Sequence, residues 1–362
     1  MPNKPTISPQ PTSHLRRLIP KLRGKRVAVL GDFMLDRYVL GTATRLSPEA
    51  AVPVIDFEKQ EQFPGGAGNV AANLAALGGK VEVFGLTGAE QKGEDEAGRA
   101  LRECLRALGV AERGLIAEPG RVTTVKTRII ARHQQIVRLD HERREPPTQS
   151  AEDKLFRAFA QSVKRLDGLV LSDYDKGVIT DSLSERVMSL CHKEKVPVFV
   201  SPKKPRLFSH RGAWAVTCNL AEAARFVTHA LTDEKAIEEA GRTLLAHFGA
   251  NAVVITRGGD GMSVFEETQP RHLRIPATNF EVTYARVGKS GVERGAAGRQ
   301  VFDVTGAGDT VLSVLALAAA AGAPVEDAAR LANVAAGVVV GKLGTATVSP
   351  GELEHALEEM ER

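Results

Sequence analysis

Short apolar runs alternate along this chain with longer segments whose apolar positions fall three and four apart, the spacings of a buried strand and of a one-sided helix. Arg26-Val-Ala-Val-Leu-Gly31 predicts a buried strand and Ala67 to Leu77 a helix of small residues. Val81-Glu-Val-Phe-Gly85 predicts a second strand and Glu94 to Leu108 a second helix. The rhythm continues through Leu169-Val-Leu-Ser172, 181–194, Val196 to Val200, 234–247 and Asn251-Ala-Val-Val-Ile-Thr256. Strand and helix in alternation predict an α/β fold, a parallel sheet flanked by helices.

Two segments break the rhythm. Tyr38 to Phe57 and Arg121 to Asp140 are rich in Val, Ile and Thr without helical periodicity, and read as antiparallel ribbon strands. They form either a small sheet apart from the main one or edge strands of it. A separate sheet at the carboxyl ends of the parallel strands is placed to act as a lid. Asn279 to Gln300 carries Arg286, Lys289, Arg294 and Arg299 among glycines and reads as a long mobile loop or hairpin. At the start, 1–12 is polar and proline-rich, and His14 to Arg26 predicts a short helix before the first strand. The organisation expected is a flexible tail over 1–20 and one domain over 21–362, with lid strands within about 37–57 and 121–140 and an insertion at about 279–300.

Composition narrows the class. With 43% hydrophobic and 25% charged residues the chain is an ordinary globular protein, and a net charge of +4 spread along its length implies neither a nucleic-acid nor a membrane partner. Cys104, Cys191 and Cys218 are odd in number and far apart, which indicates neither a disulfide framework nor a zinc site and fits a reduced cytoplasm. The first residues lack the apolar core of a signal peptide, and the run Val311 to Ala323 is too short for a membrane span.

The most informative chemistry lies at Phe302-Asp-Val-Thr-Gly-Ala-Gly-Asp-Thr310. Gly306 and Gly308 suit a tight turn, and the alanine-rich stretch from Thr310 predicts a helix whose free N–H groups would face an anion. Asp309 beside that turn would repel a phosphate, a cost that makes sense if the carboxylate takes a proton from a hydroxyl attacking a phosphoryl group. The plain alternative is a helix cap.

Other segments carry weaker signals. Gly65-Gly66-Ala-Gly-Asn69 is a small-residue turn before a helix, able to admit a sugar to the backbone while Asn69 supplies a donor and an acceptor. It follows a polar segment rather than a strand, which argues against a dinucleotide fingerprint. Asp32 and Asp36 follow the first strand and suit a polyhydroxylated ligand, although Asp36 could equally pair with Arg37 or cap a turn. Lys176, in Ser172-Asp-Tyr-Asp-Lys-Gly177, is a candidate to neutralise a phosphate, or else a solvated lysine. Asn219 and Glu222 stand three apart at a helix start, where Glu222 is a candidate Mg²⁺ ligand or a cap. Thr256-Arg-Gly258-Gly-Asp-Gly261 follows a strand and suits either a nucleotide or a hairpin turn, and Asn333 to Gly341 suits either an adenine ring or a packed core helix.

In this order the segments resemble the PfkB, or ribokinase-like, family of sugar kinases. Gly65 to Gly78 is similar to the family's first signature, Asp303 to Thr310 to its second, and Asn219 to Glu222 to its N-x-x-E motif. Within the family the nearest resemblance is to kinases of D-glycero-β-D-manno-heptose 7-phosphate, the kinase half of a bifunctional enzyme of ADP-heptose synthesis. It is carried by Gly31 to Tyr38, Arg45 to Ala50, Gln134 to Asp140, Ser172 to Gly177 and Val338 to Thr345, and runs from about Val27 to Glu361. With no nucleotidyltransferase half following, the stand-alone kinase is expected.

The resemblance implies a three-layer α/β/α fold with a mostly parallel sheet and a β-sheet lid, often shared across a homodimer. It implies transfer of a phosphoryl group from ATP with Mg²⁺, with a monovalent cation as a further option, to the anomeric hydroxyl of the heptose phosphate. Asp309 would be the base, Gly306, Ala307 and Gly308 the anion hole, and Asn219 to Glu222 the contact to ATP and Mg²⁺. Thr256, Gly258, Gly261 and Asn333 would complete the nucleotide site, and Asp32, Asp36, Gly65, Gly66 and Asn69 the sugar site. Arg128, Lys176 and Lys203 are expected to clamp the phosphate already on the sugar, since that group needs fixed cationic partners. The chain departs from the pattern at Asp175, Ser201 and Cys218 and in the long 279–300 segment. The alternatives are a related kinase for another sugar and a catalytically silent binding protein.

Overall fold

The computed structural model describes residues 12–91, 93–131, 134–204, 210–269, 272–278, 306–342 and 346–361, together with the backbone of 283–288 and 291–296. β1 (Arg26–Gly31) passes through Asp32 alone into β2 (Phe33–Leu46), which turns back as β3 (Pro53–Gly66). β4 (Lys80–Glu90) and β5 (Ala111–Pro119) follow, then β6 (Thr124–Ala131) and β7 (Gln134–His141). The remaining strands are β8 (Gly168–Ser172), β9 (Val198–Ser201), β10 (Ala215–Asn219), β11 (Ala252–Thr256), β12 (Met262–Glu266) and β13 (Leu273–Ile275).

Nine of these strands, with the two-residue strand Gly93–Glu94 antiparallel to the end of β4, form one sheet among the described residues. From β11 through β10, β9, β8, β1 and β4 to β5 every pairing is parallel, while β12 and β13 close one edge antiparallel. β1 is apolar on both faces because both faces are covered. Val27 and Val29 pack in one core with α1 (Ala67–Ala76), α2 (Glu96–Ala107) and the helices of the C-terminal part; Ala28 and Leu30 pack in a second core with α3 (Gln149–Ala160), α4 (Asp181–Glu194), α5 (Leu220–Val227) and α6 (Glu234–Phe248). The C-terminal helices are α7 (Ala307–Ala320), α8 (Val325–Val339) and α9 (Pro350–Glu361). The architecture is the expected three-layer α/β/α.

The two ribbon segments are not edge strands of the main sheet. β3, β2, β6 and β7 make a separate four-stranded sheet, with β2 and β6 parallel at its centre. Because β1 runs directly into β2 and β3 directly into α1, this sheet rises from the carboxyl ends of the main strands. Phe57, Leu139 and Leu46 on it are 66%, 65% and 69% exposed.

Several local expectations shift. His14 to Arg26 is two short helices, Ser13–Arg16 and Ile19–Leu22, rather than one. Of the flexible tail expected over 1–20, the part from Thr12 on is packed into the fold, for the Thr12 hydroxyl is buried and donates to the Leu357 carbonyl on α9 at 3.2 Å; residues 1–11 lie outside the described part. α7 starts at Ala307 rather than Thr310, since Gly306 at φ +87° supplies its N-cap. Within 279–300, Thr283–Gly288 pairs with Gly291–Ala296 as an antiparallel hairpin, the second of the two expected forms. Phe302 to Thr305 lie outside the described residues.

Candidate active site

Parallel register brings the site together. Gly31 pairs with Ser172, Ser172 with Ser201, and Asn219 with Thr256, so the segments following β1, β8, β9, β10 and β11 emerge side by side at the carboxyl edge. Asp32, Tyr174, Lys203 and the 257–261 turn belong to those segments. α7 meets them with its N-terminus.

Asp309, in the first turn of α7, is gripped on both oxygens. Asn69 on α1 donates to Oδ2 at 2.7 Å, and the Tyr174 hydroxyl donates to Oδ1. Burial pushes Asp309 above the ordinary carboxylate value, while these two donors and the Lys203 charge pull against that and the Asp36 charge adds to it. Burial also holds the Tyr174 phenol well above its usual value, as does the Asp309 charge, so the phenol remains a donor. Behind the carboxylate, Ser313 donates to the Asp309 carbonyl at 2.7 Å, and Asn73 donates to the Asn69 carbonyl at 2.9 Å. The base candidate is therefore fixed by two helices. The Ala307 and Gly308 amides lie in the same unpaired first turn, and a Cβ added at Gly308 would meet nothing within 4 Å, which leaves that backbone open to a ligand.

The two aspartates after β1 divide. Asp32 was expected to face a sugar, but it is 1% exposed and accepts the backbone N–H groups of Tyr174, Lys176 and Val178 at 2.8, 3.1 and 3.1 Å. It braces the 173–178 loop instead. Burial and the neighbouring Asp173 push it up to about 6, against the pull of those three amides. Gly66, also expected at the sugar, has φ +57° and caps α1, and a Cβ there would sit 2.6 Å from the Asp32 carbonyl. Its role is to let the backbone turn. Asp36 pairs with Arg128 on β6 at 2.5 Å, and a Cβ at Gly65 would stand 2.3 Å from the Asp36 carboxylate.

The cations expected at a phosphate all have acidic partners. Lys176 is buried and reaches Glu142 at the end of the small sheet at 2.7 Å; it stabilises the loop rather than standing as an open phosphate contact. Lys203 pairs with Glu222, and its ammonium lies 5.4 Å from the centroid of the Tyr174 ring. Glu222 and Asn219 form a full capping box, with the Asn219 N–H donating to Glu222 at 2.9 Å and the Glu222 N–H donating back at 2.8 Å. The expected metal ligand thus serves as a cap and as partner to Lys203. Among the described residues no group of three His, Cys, Asp or Glu side chains could hold a metal ion.

A cavity of about 400 Å³ adjoins the α7 turn. Asn219, Thr256, Gly258, Gly261, Asn333, Ala307 and Gly308 share its lining, with Ala336 and Gly337 of α8. The 257–261 segment is the hairpin turn between antiparallel β11 and β12, and its glycines line this cavity. Asn333 is tied to the opposite wall through the Pro276 carbonyl and Thr278 hydroxyl at 2.8 and 2.7 Å. The small residues leave room and polar edges for a nucleoside. Tyr174 is the residue that sequence reading passed over; its neighbours Asp175 and Lys176 drew attention, and nothing local to the segment shows which side chain reaches Asp309.

The model of the pfkB family of carbohydrate kinases matches residues 25–351. The chain belongs to that family. This carbohydrate kinase is a phosphotransferase with an alcohol group as acceptor. It is 42% identical over 340 residues to the bifunctional protein HldE of Geobacter metallireducens, which covers 94% of this chain and 64% of the relative, and 41% identical to that of Photorhabdus laumondii, covering 95% and 66%. The kinase therefore spans about two thirds of the length of the curated relatives it matches. Its fold is that of Arabidopsis thaliana ribokinase complexed with ribose and ATP (TM-score 0.68, 19% identity, covering 92% of this chain and 99% of that one). It is equally that of Escherichia coli phosphofructokinase-2 in complex with potassium (TM-score 0.70, 16% identity, covering 94% and 100%). Among the described residues no helix is long and apolar enough to cross a membrane.

Proposed function

We propose that this kinase transfers the γ-phosphoryl group of ATP to the anomeric hydroxyl of D-glycero-β-D-manno-heptose 7-phosphate. The observation that carries the chemistry is the oriented Asp309 carboxylate in the first turn of α7, bordering a nucleoside-sized cavity. Asp309 accepts the hydroxyl proton as the oxygen attacks phosphorus, and the Ala307 and Gly308 amides stabilise charge on the transferred group. The heptose assignment is supported by the motif resemblance and by relatives that carry the name bifunctional protein HldE. Magnesium would come with the nucleotide phosphates, as it usually does, with Glu222 reached through water or after release of Lys203. Asp36, Gly65 and Asn69 line the sugar's approach, and Arg128 with Lys203 supplies the charge for the existing phosphate.

One observation favours a second reading. Arg128, Lys176 and Lys203 are each paired with a carboxylate, an arrangement that suits a sugar without a second phosphate. ADP release measured over heptose 7-phosphate, free heptose and other sugars separates the two: strong preference for the 7-phosphate supports the first, and equal use of free heptose sinks it. We assign the exposed apolar side chains of the small sheet to a homodimer in a reduced cytoplasm; light scattering that gives the mass of one chain at micromolar concentration would refute the dimer.

A further inference from the structure

We propose that Tyr174 is a positioning residue for Asp309, its phenol O–H holding Oδ1 so that the base meets the acceptor hydroxyl ionised and aimed. The inference rests on Asp309 being the base and extends it to a residue that no motif assigns.

The geometry is built from the loop outward. Residues 173–178 cannot swing freely, because the buried Asp32 carboxylate takes three of their amides. Asp173 accepts the Asp175 N–H at 2.8 Å, and Asp175 itself sits at φ +57°, a left-handed conformation uncommon for a residue with a side chain. A loop held in such a state by several independent bonds gives its side chains a fixed direction. The Tyr174 ring is further placed by Lys203 against it, and Lys203 by Glu222. The phenol therefore presents one donor to one carboxylate oxygen, while Asn69 covers the other.

That donor opposes what the surroundings do to Asp309. The charged or titratable groups that bear on it are Asp36, which disfavours its ionised form, Lys203, which favours it, and Tyr174. Asn69 adds a neutral donor from α1, and Glu222 bears on the phenol from α5. Removing the phenol O–H leaves burial and Asp36 opposed only by Asn69 and Lys203. The carboxyl then takes a proton more readily and can rotate.

The test uses the full chain with Tyr174→Phe, Asp309→Asn and the double variant, assayed for ADP release across pH. Tyr174→Phe should lower kcat by ~10-fold, in line with one hydrogen bond to a charged group, with the KM for ATP unchanged. The acid limb of its kcat profile should move up by roughly half to one pH unit, as loss of a donor to the ionised form requires. Once the ionisable base is gone the phenol has no charged form to favour or aim, so the double variant should be no slower than Asp309→Asn. A wild-type pH limb in Tyr174→Phe, or losses that simply add in the double variant, would overturn the proposal. Wild-type turnover in Asp309→Asn would instead overturn the base assignment. If Tyr174→Phe does not fold, 3-fluorotyrosine at the position gives a stronger donor; a lowered acid limb supports the proposal and an unmoved one overturns it.

Discussion

The Asn69 amide nitrogen lies 2.7 Å from Asp309 Oδ2, across 240 residues of chain. This contact joins the small-residue helix after the Gly65–Gly66 turn to the helix that Gly306 caps, so the two family signatures meet at one carboxylate.

If that carboxylate is the base, Asp309→Asn keeps the shape and the contact to Tyr174 while removing the proton acceptor. Turnover should fall by ~10²–10⁴, the usual reach of general-base catalysis, with ATP affinity largely retained. Steady-state kinetics beside nucleotide titration calorimetry checks both halves, and near-wild-type turnover would refute the role.

The pH profile carries a second prediction. Burial raises Asp309 above the ordinary carboxylate value, so the ionised base is lost, as pH falls, sooner than for an exposed aspartate. The acid limb of kcat should sit above about pH 4, the unperturbed value, and should vanish in Asp309→Asn. A rate that stays flat down to that pH would contradict the assignment.

Gly65 tests the sugar side. A Cβ there would come within 2.3 Å of the Asp36 carboxylate and must push it off Arg128 or toward the ligand. Gly65→Ala should raise the sugar KM by ~10-fold or more while leaving the KM for ATP and the melting temperature close to wild type, as expected when only ground-state binding is lost. Equal effects on both substrates would place the damage elsewhere.

Asp32 makes a stability prediction. Its folded-state value of about 6 lies above the 3.8 of an unperturbed aspartate, so between those values the folded chain binds the extra proton. Its contribution is therefore fully present at the acid end and is lost as pH rises toward 6. Other carboxylates shift the whole curve, so the quantity to measure is the melting-temperature difference between wild type and Asp32→Asn. Wild type should gain relative to the variant as pH falls from 7 to 4; a difference independent of pH would contradict the buried-carboxylate account.

Much of the layer architecture was legible locally. β1 is bounded by Arg26 and Gly31 as its apolar run indicates, and α4 by Asp181 and Glu194. α3 was not, since Gln149 to Ala160 alternates charge and apolar residues closely enough to hide its periodicity, and its N-cap, Thr148, shows only once the Ala151 amide is seen to donate to it at 3.3 Å. The cavity-lining residues were legible in part because Asn219 and Thr256 end strands and Gly258 follows one, and parallel strands bring their carboxyl ends together.

By itself the sequence determined the alternation of strand and helix, the glycine turns and the carboxylate at the head of α7, because apolar period and backbone freedom are properties of short segments. Only the tertiary structure decided what each charge does. Asp32, Asp36 and Asp309 look alike in the chain, yet one braces a loop, one pairs with Arg128 and one is held by Asn69 and Tyr174. Burial and partners come from segments far apart, and those, not the residue type, set the part each aspartate plays.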